Sequence, residues 1–380
     1  MLSTYEQLMT SEKISSALAK VIDPELHRPI TELGMVESVT CESGIARITI
    51  LLTIAGCPMK EKLRSDVISV VSEVEGVTNV EIEFGVMNEA QRNEVKKLIR
   101  GGREALIPFA QPDSLTRVIG IASGKGGVGK SSLTVNIAIA TAKAGFKVGI
   151  LDADVYGHSI PRLMSLEGKR PTAIDQTFIP LESFGVKVVS MEMFKPDRAD
   201  PVAYRGPLLH RVLEQLLSDA YWGDLDFLFL DLPPGTGDIA ISLGQLIPAS
   251  EIIVVTTPQI AAAEVAERAG RIAHQLKQHV IGVIENMSNF PCPHCGESIS
   301  LFGSGGGEAT AERLSTLLGA DVPVLAKIPF DAALRTGGDN GQPLVVAEPN
   351  SAAAQEISKV VTNLTQRKKS LVGVRLGLST

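Results

Sequence analysis

A glycine-rich stretch that ends in a lysine and a serine carries the clearest chemical signal in this sequence. Residues 124–131 read GKGGVGKS and fit the spacing G-x-x-x-x-G-K-S. Glycines let backbone N–H groups turn inward around phosphate oxygens, and a helix that starts after them adds partial positive charge. We predict that Lys130 reaches the β- and γ-phosphates of a nucleoside triphosphate and that the Ser131 hydroxyl binds Mg²⁺.

Two elements must position this loop. A β-branched apolar run at residues 118–122 precedes it, and a helical apolar pattern follows from Leu133 onward. The order strand, glycine loop and helix predicts a phosphate-binding loop, with an incidental glycine-rich turn as the alternative. The candidate nucleotide-binding residues of the loop are Gly124, Lys125, Gly126, Gly127, Val128, Gly129, Lys130, Ser131 and Ser132.

Aspartates close two other predicted strands, at residues 147–151 and 227–230. Carboxylates at the carboxyl ends of strands lie beside the phosphate site in an open α/β sheet. We predict that Asp231 holds Mg²⁺ as in a Walker B strand, that Asp152 belongs to the Mg²⁺ shell, and that Asp154 orients the attacking water. For Asp152 and Asp154, simple helix capping is the alternative.

A second glycine-rich turn, DLPPGTGD, starts at Asp231. Gly235 in this turn is positioned to offer its backbone N–H to the γ-phosphate. Residues 233–238 are therefore the predicted sensor of the bound nucleotide.

A pair of cysteines, Cys292 and Cys295, forms a C-x-x-C turn within the sequence NFPCPHCGE. The flanking prolines and glycine favour a turn that directs both sulfurs at one metal ion. A tetrahedral thiolate site needs four ligands, so we expect two chains related by a two-fold axis to supply them. Iron–sulfur clusters and Zn²⁺ both accept four thiolates, and the pattern leaves either metal, a redox pair or an inert turn open.

Another candidate thiol, Cys57, lies in a small α/β pattern near the N-terminus. Helical spacing at residues 11–22 and 60–74 alternates there with strand-like runs, and GCPM stands at the start of the second helix. A cysteine near a helix N-terminus has a lowered pKa and suits a nucleophile or an iron ligand, with helix capping and packing as the alternative. Cys57 is therefore a predicted accessory thiol.

Alternating strand and helix patterns organise the whole chain. They predict an α/β fold in which a doubly wound, mostly parallel sheet forms a P-loop NTPase domain after a small α/β domain. We predict a small domain at residues 1–87, a linker at 88–115, the NTPase domain at 116–365 and a tail at 366–380.

The composition narrows the class of protein. A formal charge of −7 argues against broad nucleic-acid binding. We see no run of about 18 apolar residues that predicts a membrane span, and no secretory leader at the start. Four cysteines are too few for a disulfide framework, which favours a reducing compartment. From these observations together we expect a cytoplasmic protein without nucleic-acid or stable membrane partners.

The phosphate loop carries a second lysine, and its order K-G-G-x-G-K-S resembles the deviant Walker A motif of the MinD/ParA and nitrogenase iron-protein class. In that class the extra lysine crosses a dimer interface to the partner's phosphates. The resemblance implies a homodimer, and it makes Lys125 a catalytic candidate beside Lys130 and Asp154.

Three residues beyond later strands resemble the base-reading positions of this NTPase class, namely Asn286, Pro329 and Asp331. The chain has no N-K-x-D motif, the signature of guanine binding, so we expect adenine as the base. ATP is accordingly the predicted nucleotide.

Taken together, KGGVGKS, DADVYG, DLPPGTGD, ENMS and CPHC resemble the Mrp/ApbC family of iron–sulfur cluster carrier ATPases. The N-terminal order DPEL, ELGMV, GCPM resembles a small domain of iron–sulfur cluster assembly factors. The resemblance implies slow hydrolysis of ATP with Mg²⁺, a [4Fe–4S] cluster bridging two subunits, and transfer of that cluster to apo-proteins. The alternatives are a MinD/ParA-type positioning ATPase on membrane or DNA, and a zinc-bridged dimeric ATPase that acts as a metal chaperone.

Overall fold

The computed structural model describes residues 2–24, 26, 28–53, 59–100, 107–154, 157, 159–174, 177–194, 206–235, 237–292 and 294–366. The predicted accessory thiol Cys57 and residues 367–380 of the predicted tail lie outside these ranges. Among the helices in these ranges, none combines the length and the apolar character that crossing a membrane requires. The chain divides into two compact units, residues 1–106 with 172–179 and residues 107–171 with 180–380.

The helices and strands have the following bounds, in chain order. They are α1 Leu2–Leu18, β1 Val36–Glu42, β2 Ile45–Leu52, α2 Lys60–Ser72, β3 Asn79–Val86, α3 Glu89–Arg100, β4 Arg117–Ser123, α4 Lys130–Lys143, β5 Val148–Asp152, α5 Ile160–Leu163, β6 Thr172–Ile174, β7 Thr177–Ile179, β8 Leu181–Ser183, β9 Val186–Ser190, α6 Gly206–Ser218, β10 Phe227–Asp231, α7 Asp238–Leu246, β11 Glu251–Thr256, α8 Ile260–Gln275, β12 His279–Asn286, β13 Phe290–Pro291, β14 Ser298–Ile299, α9 Gly306–Leu318, β15 Val324–Ile328, α10 Ala332–Asp339, α11 Leu344–Ala347 and α12 Ala352–Gln366.

The first unit contains a three-stranded sheet in the order β1-β2-β3, antiparallel between β1 and β2 and parallel between β2 and β3. Leu63, Val67 and Val71 recur at helical spacing along α2 and are buried, which gives this helix one apolar face. Helix α1 starts and ends earlier than the pattern at residues 11–22 predicts. Beyond its end, the Asp23 carboxylate accepts the backbone N–H of Leu26 at 2.7 Å and closes a turn.

The second unit is built on an eight-stranded sheet in the order β15-β12-β11-β4-β10-β5-β9-β8. All neighbouring strands are parallel except β8 and β9. Every residue of β4 and β10 is buried, as expected for central strands covered by helices on both faces. The predicted fold class, a doubly wound and mostly parallel sheet after a small α/β domain, is confirmed. The antiparallel edge strand β8 is three residues long, too short to give a periodic pattern.

The strand register brings the predicted chemistry to one edge of this sheet. Asp231 ends β10 and lies opposite Ile121 of β4 and Asp152 of β5. The phosphate loop leaves β4 at the same edge, and β12 ends there at Asn286. Ligands of open α/β sheets bind in the crevice beyond the carboxyl ends of the strands, so we expect a binding site at this edge.

Candidate functional site

The glycine-rich loop between β4 and α4 encloses a cradle of backbone groups. Gly127 and Gly129 have φ angles of 81° and 83°, a region that side chains rarely adopt. A Cβ atom on Gly129 would lie 2.3 Å from Nδ2 of Asn286, so the position also lacks space for a side chain. Helix α4 starts directly afterwards at Lys130, and its first N–H groups and its dipole face the loop.

A cavity of about 530 Å³ opens over this loop, within the usual size range of small-molecule sites. The structure brings predicted residues from four separate segments to its wall. These are Lys125, Gly126, Gly127, Val128, Gly129, Lys130, Ser131, Ser132, Asp154, Asn286, Pro329 and Asp331. Four other predicted residues, Gly124, Asp152, Asp231 and Gly235, do not line it.

A buried carboxylate lies behind the loop and contacts polar side chains of the loop. Asp231 is fully buried and accepts hydrogen bonds from Ser131 Oγ at 2.6 Å and from Lys130 Nζ at 2.7 Å. Thr134 Oγ1, one turn further along α4, donates a hydrogen bond to Asp231 Oδ1 at 2.9 Å. Thr134 was not among the predicted site residues, although its spacing of four residues from Lys130 places both on one helix face.

The two aspartates after β5 have different environments. Asp152 is buried and accepts a hydrogen bond from Ser190 Oγ at 2.9 Å. Burial, and then the neighbouring charge of Asp231, raise the pKa of Asp152 well above its usual value, while Ser190 and Lys130 act in the opposite direction. Asp154 lines the cavity, with Oδ2 at 4.0 Å from Lys130 Nζ.

These aspartates also hold the local backbone, in a way that neither the catalytic nor the helix-capping interpretation anticipates. Asp152 Oδ1 accepts the N–H of Asp154 at 3.1 Å, and Asp154 Oδ1 accepts the N–H of Gly157 at 3.0 Å. The next helix, α5, starts only at Ile160, so both carboxylates close a turn rather than a helix.

Two predicted phosphate contacts have partners within the chain. The backbone N–H of Gly235 donates to the Ser123 carbonyl at 2.8 Å, at a φ angle of 89°. Lys125 Nζ donates to Gln259 Oε1 at 2.6 Å. Both groups are therefore engaged within the chain in this structure. Gln259 lies just before α8, and no local motif in the sequence connects it to the loop.

Asn286 is hydrogen-bonded to the backbone of the phosphate loop. Its Nδ2 donates to the Val128 carbonyl at 2.8 Å. Its Oδ1 is buried and has no hydrogen-bond partner among the residues that the structure describes. A buried acceptor without a partner is costly unless a ligand completes it, and Asn286 lines the cavity. Asp331 caps α10, because its Oδ1 accepts the N–H of Ala333 at 2.8 Å.

The predicted cysteine pair lies on a hairpin, and neither cysteine lines the phosphate cavity. Strands β13 and β14 pair antiparallel, and between them Gly296 N–H donates to the Cys292 carbonyl at 2.8 Å. Both thiols are free, with Cys295 exposed and Cys292 half-buried. The backbone N–H groups of Cys295 and then His294 lower the pKa of the Cys292 thiol, which favours the thiolate that binds metals.

Two thiols are fewer ligands than a closed thiolate site contains. Within the described ranges, no group of three or more His, Cys, Asp or Glu side chains is arranged to hold a metal ion. The hairpin of this single chain therefore supplies Cys292 and Cys295 as a two-thiol donor set, which fits a metal or cluster that has further ligands from elsewhere.

Comparisons with known proteins place this architecture in a family. A family model described as NUBPL iron-transfer P-loop NTPase matches residues 114–365. A second model, described as iron-sulfur cluster assembly protein, matches residues 11–83.

Curated relatives resemble the chain over nearly its full length. A protein of Mycobacterium tuberculosis named iron-sulfur cluster carrier protein is 54% identical over 367 residues, which covers 96% of this chain and 96% of the relative. A protein of the same name from Deinococcus radiodurans is 39% identical and covers 93% of this chain. Among solved structures, a nucleotide-binding protein from Archaeoglobus fulgidus in complex with ADP is 34% identical, with a TM-score of 0.53. That match covers 64% of this chain and 95% of the solved one.

Proposed function

Because this chain belongs to the family of NUBPL iron-transfer P-loop NTPases, we propose that it is an ATP-dependent carrier of iron–sulfur clusters. The observation that carries the proposal is a pair of free thiols, Cys292 and Cys295, on the same structural unit as a phosphate cradle. The cluster is the cargo that the protein passes to apo iron–sulfur proteins, and ATP is the substrate that it hydrolyses.

The phosphate cradle supplies the groups that phosphoryl transfer requires. Catalysis of this reaction depends on positioning and on neutralising the charge of the phosphate oxygens. Lys130 exchanges its contact with Asp231 for the β- and γ-phosphates. The oxygens of Ser131 and Asp231 would hold Mg²⁺, which prefers hard donors, with Asp152 in its outer shell, and the ion would neutralise phosphate charge. Asp154 orients the attacking water.

The rest of the cavity holds the nucleoside. Asn286, Pro329 and Asp331 line the part of the cavity that we assign to adenine. Lys125 releases Gln259 and reaches the phosphates of a second copy of the chain, so ATP binding is coupled to formation of a homodimer.

The same homodimer completes the cluster site. Four thiolates, Cys292 and Cys295 from each of two chains, match the ligand set of a [4Fe–4S] cluster. Free thiols of this kind persist in a reducing compartment, and we place the activity in the cytoplasm. Cys57 acts as an accessory thiol on the path of the cluster.

Anaerobic reconstitution tests the cargo. The full-length protein is incubated with iron and sulfide and desalted, and its visible absorption and iron content are measured beside a Cys292→Ala/Cys295→Ala variant. We expect a broad visible band and about four irons per two chains, both absent from the variant. Retained zinc without an iron chromophore would instead identify a zinc-bridged ATPase and overturn the carrier proposal.

A transfer assay tests the use of the cluster. The reconstituted protein is mixed with an apo-protein that needs a [4Fe–4S] cluster for activity, with and without ATP. We expect activation of the apo-protein by the wild type and a slower rate for Lys130→Ala. A Cys57→Ser protein with an unchanged transfer rate would remove the accessory role of that thiol and leave the carrier function intact.

A further inference from the structure

Phe330 lies where the nucleotide cavity meets the cysteine hairpin. It is the second residue after β15 and lines the cavity. Its ring also contacts Phe290, with ring centroids 5.8 Å apart and an interplanar angle of 73°, and Phe302 at a centroid distance of 6.4 Å. One aromatic side chain therefore belongs to both regions of this unit.

The two rings that contact Phe330 lie at opposite ends of the cysteine hairpin. Phe290 starts β13, two residues before Cys292, and Phe302 follows β14 on the return side of the hairpin. The ring of Phe330 thus holds both ends of the segment that carries the thiols. Edge-to-face contacts between aromatic rings have a narrow range of favourable geometry, and close packing leaves little room to shift one ring alone.

Backbone hydrogen bonds tie the same two segments together. The N–H of Phe330 donates to the Asn289 carbonyl at 2.6 Å, and the N–H of Ser288 donates to the Ile328 carbonyl at 2.9 Å. Within the hairpin, Asn289 Nδ2 donates to Ser298 Oγ at 2.8 Å. A displacement of the loop after β15 is therefore transmitted to the base of the hairpin.

We propose that Phe330 is a positioning residue that couples occupancy of the nucleotide cavity to the conformation of the Cys292–Cys295 hairpin. A nucleotide in the cavity fixes the Phe330 ring from one side, and the ring fixes Phe290 and Phe302 on the other. The coupling rests on the proposed binding of ATP at this cavity, but it does not require that a cluster is bound.

The test measures the alkylation of the thiols in the full-length protein without iron. Iodoacetamide is added with and without ATP and Mg²⁺, and mass spectrometry follows the peptide that contains Cys292 and Cys295. Cys41, which is buried in the other unit, serves as an internal reference because its labelling reports unfolding. For the wild type we expect saturating ATP to slow alkylation of the hairpin thiols several-fold.

Three variants separate coupling from binding, each measured at saturating nucleotide. Phe330→Leu should lose most of the ATP effect on alkylation. Phe302→Leu, outside the cavity, should reduce the ATP effect while the affinity for ATP stays unchanged. Leu334→Ala, which alters the cavity wall at a residue that is not one of the three rings, should weaken ATP binding and keep the full effect at saturation.

The outcomes distinguish this inference from the proposed function. An ATP effect of wild-type size in both Phe330→Leu and Phe302→Leu, or no ATP effect in the wild type, overturns the coupling. Such a result leaves the carrier function standing if reconstitution yields the cluster. Conversely, an ATP effect that disappears in Phe330→Leu supports the coupling even if the hairpin binds zinc rather than iron.

Discussion

The nucleotide site and the cysteine hairpin are built in opposite ways. Lys130 and Asp231 are 6% and 0% exposed and form an ion pair at the carboxyl edge of the central sheet. Cys295 is exposed, on a hairpin whose two strands are two residues long each. The first site has its polar partners within one chain, whereas the second presents donors to solvent. This chain therefore fixes its phosphate site in advance, whereas its hairpin presents two thiols that lack further metal ligands among the described residues.

The largest effect should follow from a methyl group in the phosphate loop. We expect Gly129→Ala to abolish ATP binding, because its Cβ would lie 2.3 Å from Asn286 Nδ2 at a φ angle of 83°. Gly126→Ala is the matched control, since its nearest atom outside the local chain, in Pro234, is 4.0 Å away. Titration with a fluorescent ATP analogue measures both. Equal affinities for the two variants would contradict a preformed loop.

A largely buried ion pair at the start of β4, opposite the phosphate loop, should contribute strongly to stability. Arg117 contacts Glu251 at 2.5 Å and is 7% exposed, so Arg117→Met leaves a carboxylate without its partner. We expect a loss of about 3 kcal/mol in the free energy of unfolding. Cys295→Ser, in the hairpin, should change it by less than about 0.5 kcal/mol. Urea denaturation measures the free energy of unfolding of both variants. A larger loss of this free energy for Cys295→Ser than for Arg117→Met would contradict the expectation.

Removing the second lysine of the loop should slow hydrolysis without unfolding the chain. We expect Lys125→Met to lower the ATPase rate by about 10²-fold, as the loss of a group that stabilises developing charge does. Gln259→Ala removes the partner of Lys125 within the chain and should keep or raise the rate. A steady-state phosphate-release assay gives both rates. Wild-type turnover by Lys125→Met would show that the lysine has no catalytic role.

The smallest effect concerns an exposed ion pair between Glu308 of α9 and Lys327 of β15. Lys327 lowers the pKa of Glu308, and Glu308 raises the pKa of Lys327. The contribution of Glu308 is present above its unfolded-state pKa and is lost as the pH falls through the lowered folded-state pKa. The contribution of Lys327 is present below its unfolded-state pKa and is lost as the pH rises through the raised folded-state pKa.

Both contributions are therefore present at neutral pH. We expect Glu308→Gln to cost less than about 1 kcal/mol there, since exposed pairs contribute little. The cost should vanish in acid, where Glu308 is protonated in both states. Urea denaturation at neutral and acidic pH tests the sign. A cost that grows on acidification would contradict it.

Sequence periodicity was sufficient for the strands of the sheet that carry the motifs, but not for the pairing between strands. The buried strand before the loop, the helix after it and the strand that ends at Asp231 all follow from apolar runs of ordinary length. The order of the strands does not, because pairing joins segments far apart in the chain. The short edge strand β8 gave no pattern at all.

The sequence alone determined the chemistry of this protein, because its motifs are local. A lysine and a serine after glycines at fixed spacing, an aspartate after an apolar strand and two cysteines in one turn define what each segment can bind. Only the tertiary structure decided how these segments act on each other. Thr134 on Asp231, Gln259 on Lys125 and Phe330 between cavity and hairpin are long-range contacts. Their geometry depends on strand register and on packing, which no local spacing encodes.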